Sequence, residues 1–143
     1  MRTMTEKFKI LGSYIKDLSS ETPGVETYLF VKDNISAYQL AIDINSIPLK
    51  NRMIEINTTF KFEDKKNNKK KSHFEMIYAT IIKLGENVKK KEEMEEIILR
   101  DAQIEIYPKM EKAFLDLLHN SGYSNIKFEK KIDFEILYKQ RSN

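Results

Sequence analysis

The sequence predicts an α+β domain, a four-stranded antiparallel sheet followed by C-terminal helices packed on one of its faces. Two observations carry this fold class. Side chains alternate in character with period two along the middle of the chain, and after residue 90 the apolar period changes to 3.6. Phe8 and Ile10, then Tyr14 and Ile15, make a first strand, and Gly12 interrupts it where a bulge or a close backbone approach is natural. Residues 25–35 are mixed in pattern and read as a loop with a short extended piece from Thr27 to Val31. Tyr38, Leu40, Ile42 and Ile44 alternate with Gln39, Ala41, Asp43 and Asn45, as in a strand with one buried face, and Pro48 ends it.

The third strand is the clearest. Ile54, Ile56, Thr58, Phe60 and Phe62 share one face while Glu55, Asn57, Thr59, Lys61 and Glu63 share the other, which argues against a helix. After a Lys/Asn-rich hairpin from Lys65 to Lys71, the residues Phe74, Met76, Tyr78, Thr80, Ile82 and Leu84 continue the pattern on a fourth strand. Ile77, Ala79 and Ile81 on its opposite face predict cover on both sides, from a partner subunit or a client. A helical stripe begins at Met94, Ile97, Ile98, Ala102 and Ile104 and continues through Met110, Ala113, Phe114, Leu117 and Leu118. Pro108 between the two halves predicts a kink or the first turn of a second helix. Gly122 is placed to stop that helix, and a last one from Asp133 to Gln140 would bury Phe134, Leu137 and Tyr138.

A chain of 143 residues with 41% hydrophobic content fits a single domain, residues 1–143, with a modest core that oligomerisation would extend. With no cysteine there is no disulfide framework, which suits a reducing cytoplasm. Met1 to Lys9 lacks an apolar leader core, and no run approaches the roughly 20 apolar residues of a membrane span. The expectation is a soluble, unprocessed protein without stable membrane insertion. The formal charge of +3 comes from lysines bunched at Lys65 to Lys71 and Lys89 to Lys91, a pattern of solvated loops more than of a nucleic-acid face.

Catalytic signals are missing. His73 and His119 have no second His or Cys at metal-ligand spacing, and four scattered glycines make neither a phosphate loop nor a dinucleotide fingerprint. Asp17 and Glu21 read as strand-end carboxylates, since an acid/base pair needs a pocket and unequal environments. No enzyme, metal or cofactor is expected. What remains is a surplus of apolar side chains on long amphipathic strands, more than a chain of this size buries, and such surfaces mark interfaces.

The segment Ile15-Lys16-Asp17-Leu18-Ser19-Ser20-Glu21-Thr22-Pro23 matches the K-D-(I/L)-S-x-E-x-P pattern in the first strand of SecB, the bacterial protein-export chaperone family. Ile106-Tyr107-Pro108 with the helix Lys109 to His119, Gly122-Tyr123, and Ile132 to Tyr138 resemble that family's L-F-P helix, G-x-F turn and V-N-F-x-A-L-Y terminal helix. From about Phe8 to Tyr138 the chain is similar to SecB. The resemblance implies a homotetramer, a dimer of dimers, that holds unfolded precursor proteins and delivers them to the SecA motor with no nucleotide, metal or covalent step. It implies a client groove between sheet and helices, with Leu40, Ile42 and Ile44 from the second strand and Ile54 and Ile56 from the third. Phe134, Leu137 and Tyr138 of the terminal helix complete it. It implies a SecA-docking patch at Asp17 and Glu21, and matching Tyr78 to Ile82 to the family's x-G/A-G-I-F adds Glu75.

The chain departs from the family in being basic where most members are acidic, in carrying His73 where an apolar residue is frequent, and in having Lys139 and Arg141 in place of an acidic tail. Two other readings stand beside this one. A SecB-like chaperone dedicated to one client, such as an antitoxin, would bind that protein and ignore unfolded test proteins. A basic nucleic-acid module stacking bases on Phe62 and Phe74 would show affinity that falls steeply with salt.

Overall fold

In the computed structural model, which describes residues 6–66, 71–128 and 132–142, the strands are β1 (Phe8–Glu21), β2 (Gln39–Pro48), β3 (Met53–Glu63) and β4 (His73–Leu84). They form one antiparallel sheet in the order β1-β4-β3-β2, so the two strongly alternating strands are central and β1 and β2 are edges. In the Lys/Asn-rich hairpin, Asn67 to Lys70 lie outside the described residues. The pairing register slips between Ile10 and Gly12, a bulge, and nothing approaches the place of the missing Gly12 side chain, so the close-approach alternative falls away. A second slip between Ile15 and Asp17 carries no glycine to announce it.

Residues 25–35 correct the sequence reading. Val25–Asp33 is a helix, α1, followed by a 3₁₀ turn at Ile35–Ala37, and no extended piece is present there. Tertiary packing decides the matter: Val31 is buried, and Tyr28 donates its hydroxyl to the Gly122 carbonyl at 2.8 Å. Asn34 closes the helix, its side-chain amide bonding the Phe30 carbonyl at 2.8 Å.

One long helix crosses the sheet as α2 (Lys91–Glu96), a π-turn (Ile97–Asp101) and α3 (Ala102–Asn120). Pro108 lies inside α3, beyond its first turn, so that alternative is corrected. Proline is tolerated there because it is exposed and the carbonyl it fails to bond belongs to exposed Ile104, where water serves instead. The opposite side packs Ile97, Met110, Phe114 and Leu118 onto Ile56, Phe60, Met76 and Ile82. A buried amide fixes the helix on the sheet: Thr58 donates to Gln103 Oε1 at 3.1 Å and Gln103 Nε2 donates to the Ile98 carbonyl at 3.3 Å.

Gly122 ends α3 as expected, at φ 105°, with Tyr123 N–H reaching back to the Leu118 carbonyl at 3.1 Å. A Cβ there would lie 2.6 Å from the Tyr28 ring. Gly122→Ala should therefore cost about 1–3 kcal/mol, combining backbone strain with a displaced Tyr28, read as a lower denaturation midpoint.

The terminal helix, α4 (Phe134–Ser142), starts one residue later than the sequence suggests because Asp133 is its cap, accepting from the Glu135 and Ile136 N–H groups at 3.0 and 3.2 Å. Arg141 then donates to the Ile44 carbonyl of β2 at 2.8 Å. The face of the sheet away from the helices is bare of further elements among the described residues. Ala79 is buried there by its neighbours within the sheet, while Ile77 and Ile81 are only half-buried and Leu11 and Tyr14 are exposed. Among the described residues no layer covers this face.

An apolar trough and an acidic sheet face

Because β2 is an edge strand, its core-facing residues are not fully roofed by the long helix. Leu40 and Ile42 instead face α4 across a cleft of about 340 Å³, closed on the other side by Ile132, Ile136 and Leu137. Leu40 and Ile132 also line an adjoining cleft of about 690 Å³ that runs past Phe62 and Phe128 to Tyr38 and Ile35. The two make one apolar trough along β2. The Tyr38 end is rigid: its oxygen accepts from the Ser72 N–H at 3.0 Å, and burial pushes the phenol pKa up, so the hydroxyl stays protonated.

Of the eight residues expected in a groove, Leu40, Ile42 and Leu137 line the trough. Tyr138 is half-buried beneath Arg100, whose guanidinium carbon lies 5.8 Å from the ring centre. Ile44, Ile54, Ile56 and Phe134 are placed in the core, with 4, 7, 0 and 3% of their surface exposed, and could meet a ligand only if the fold opened. Ile54 and Ile56 alternate as Leu40 and Ile42 do and differ in lateral position, β3 being central and β2 an edge, whereas Ile44, on β2 itself, is buried where Arg141 reaches its carbonyl. Sequence reasoning missed Ile132, Ile136, Phe128 and Ile35. Ile136 had a signal, an apolar residue off the buried stripe of a short helix.

Asp17, Glu21 and Glu75 do share one face. In the register of β1 with β4, Asp17 sits opposite Ile77, Ser19 opposite Glu75 and Glu21 opposite His73, all on the side away from the helices. His73 Nε2 is 3.5 Å from a Glu75 oxygen, and Lys61 is Glu75's neighbour on β3. Farther along the same face Lys16 pairs with Glu55 at 2.6 Å, and that hydrogen bond, with a second from Asn57, holds the Glu55 carboxyl below the usual carboxylate range. Among the described residues no cluster of His, Asp or Glu could hold a metal ion, and no helix is long and apolar enough to cross a membrane. His119 bonds the Ile126 carbonyl at 3.0 Å.

The sequence and the fold both have counterparts among known proteins. The family model described as preprotein translocase subunit SecB matches residues 2–143. A SecB-named protein-export protein of Pelagibacter ubique (strain HTCC1062) is 57% identical over 140 residues, 98% of this chain and 100% of that one. The protein-export protein SecB of Mesorhizobium japonicum is 21% identical over 132 residues, 92% of this chain and 77% of the relative. Among solved structures, the Mycobacterium tuberculosis Rv1957 SecB-like chaperone, in complex with a peptide from the HigA1 antitoxin, superposes with a TM-score of 0.62 over 88% of this chain and 91% of that one. At 12% identity that likeness establishes the shared fold. A full-length family match, a relative identical at more than half its positions and the same sheet-and-helix architecture lead to one conclusion: the chain belongs to the SecB family of protein-export chaperones.

Proposed function

We propose that this chaperone is a cytoplasmic holdase that takes apolar segments of unfolded precursors into the trough along β2 and hands them to SecA docked on the acidic sheet face. The observation that carries the reading is the trough itself, an open channel walled by Leu40, Ile42, Ile136 and Leu137, with Asp133 and Gln140 at its margin. Burial there contributes roughly 25 cal/mol per Å² of apolar surface and makes little demand on sequence, so many clients fit. No nucleotide, metal or covalent step is required. The test is capture of reduced, unfolded proteins in the absence of ATP. Tight binding of one protein together with indifference to such clients would favour a dedicated chaperone instead.

The working form is proposed to be a homotetramer. Leu11, Tyr14, Ile15 and Leu18 are exposed on the β1 edge and Ile104 on the long helix, two separate apolar surfaces suited to two kinds of two-fold contact. Light scattering at micromolar concentration should give four chains; a monomer would sink the assignment.

For SecA docking, each exposed carboxylate would contribute only about 0.2–1 kcal/mol, so single substitutions should be nearly silent. Reversing Asp17, Glu21 and Glu75 together to lysine should weaken SecA binding on the order of tenfold while client capture holds. The wild-type interaction should also fade as salt rises through the physiological range, where the screening length is about 8 Å. Unchanged SecA affinity in an assembled triple variant would remove the patch from the mechanism.

A further inference from the structure

We propose that the trough selects unfolded segments whose apolar stretch is bordered by acidic side chains, and that Lys127 and Lys32 make the selection. The proposal rests on the reading of the trough as the client site and adds the charge of the clients. A third cleft, of about 280 Å³, continues the two already described: it shares Ile35, Asn125 and Ile126 with the second and ends against Tyr28, Lys32 and Tyr123. The path is therefore longer than its apolar part. Among the side chains that line the three clefts, only Asp133 beside α4, Lys127 midway and Lys32 at the far end carry charge.

Those three charges are not equivalent. One oxygen of Asp133 already accepts from the Glu135 and Ile136 N–H groups at 3.0 and 3.2 Å, and the positive end of the α4 dipole offsets part of its charge. The two lysines have no ion-pair partner among the described residues. Lys127 stands between Ile126, buried with its carbonyl bonded by His119 at 3.0 Å, and Phe128, whose ring packs on Phe62 at 5.8 Å. Lys32 lies one helical turn beyond Tyr28 on the same face of α1, next to buried Val31. Both backbones are held while both side chains are exposed. Nearby carboxylates do not cancel them: Asp43 and Glu63 lie on the sheet face away from the helices, Glu135 is tied to Arg100 at 3.0 Å, and Asp33 lines none of the three clefts. The result is a positive field along apolar walls, where it is screened less than on an open surface. A segment with glutamate or aspartate beside its apolar residues meets complementary charge there, and one with lysine or arginine meets repulsion. The net charge of +3 acts in the same direction at longer range.

The probe is one synthetic peptide in three versions, an identical run of leucine and phenylalanine flanked by glutamates, by lysines or by serines. At low salt the glutamate version should bind about three- to tenfold more tightly than the lysine version, as two exposed charge pairs allow. The difference should collapse near 1 M salt, where the screening length is about 3 Å, while capture of the serine version holds. Lys32→Gln combined with Lys127→Gln should remove most of the preference and leave capture of the serine version unchanged. Lys89→Gln combined with Lys90→Gln makes the same change in net charge on the loop after β4, at the opposite end of the sheet, and should leave the preference intact. Equal affinity for the two charged versions, or tighter binding of the lysine version, would overturn the proposal. A glutamate preference that survives Lys32→Gln with Lys127→Gln would overturn it too, by tracing the effect to net charge alone. Failure of the trough reading has a different signature: Leu40→Ser would then leave capture of the serine version unaltered, whatever the charged versions do.

Discussion

Phe60→Ala should lower the stability of the chain by about 3–5 kcal/mol, the top of the range for truncating one core side chain. Phe60 is fully buried at the centre of the sheet, edge-on to Phe114 at 5.5 Å and beside Tyr107 at 6.2 Å. Its removal forfeits the transfer energy of a benzyl group and two ring contacts, and leaves a cavity that rigid neighbours on β3, β4 and α3 fill poorly. Against a total of about 5–15 kcal/mol for a domain of ordinary stability, that is a large share. Urea unfolding followed by circular dichroism should show the midpoint fall with little change in slope. A loss under 1 kcal/mol would mean that the helix does not pack on the sheet as described.

The second large effect concerns binding. Leu40→Ser combined with Ile42→Ser should weaken capture of unfolded proteins on the order of tenfold or more, since two apolar walls of the trough are lost at up to ~1.5 kcal/mol each. The fold should survive. Ile56→Ser should behave in the opposite manner, unfolding the chain, because that residue has no exposed surface at all. Loss of folding in the Leu40/Ile42 variant would place those residues in the core after all and end their assignment to a client site.

This contrast shows where sequence legibility stopped. Period-two alternation is a statement about faces, and it placed every core-facing residue of β2 and β3 on the correct side of the sheet. It holds no information about which strand ends at an edge, and the difference between Leu40 and Ile56 is entirely of that kind. The same limit hid α1. Gly24 offers no side-chain cap, the apolar residues Tyr28 to Val31 are consecutive and not periodic, and the helix is stabilised by Tyr28 docking on Gly122, 94 positions away. Gly12 announced its bulge through the residue type, whereas the slip beside Lys16 is produced by pairing with β4 alone. Pro108 looked like a boundary because a missing N–H is costly in a buried helix, and nothing local says that this proline faces water. The three carboxylates came from the resemblance and not from the alternation, and that they share a face follows from the β1–β4 register with its two slips, which the sequence does not show.

The two edges of the sheet are finished differently, and this bears on how assembly terminates. On β2, Pro48 has no N–H to offer an incoming strand, and the Ile44 carbonyl is already occupied by Arg141. On β1, 14 residues long, Leu11, Tyr14, Ile15 and Leu18 remain open to another chain. A protein with two adhesive edges can add copies at either end and grow into a ribbon. With one adhesive edge, the first pairing of like with like about a two-fold axis consumes it, and only the guarded edges face outward. If chains pair through β1 as the proposed assembly has them, the proline and the arginine on the other edge would favour stopping strand pairing at two.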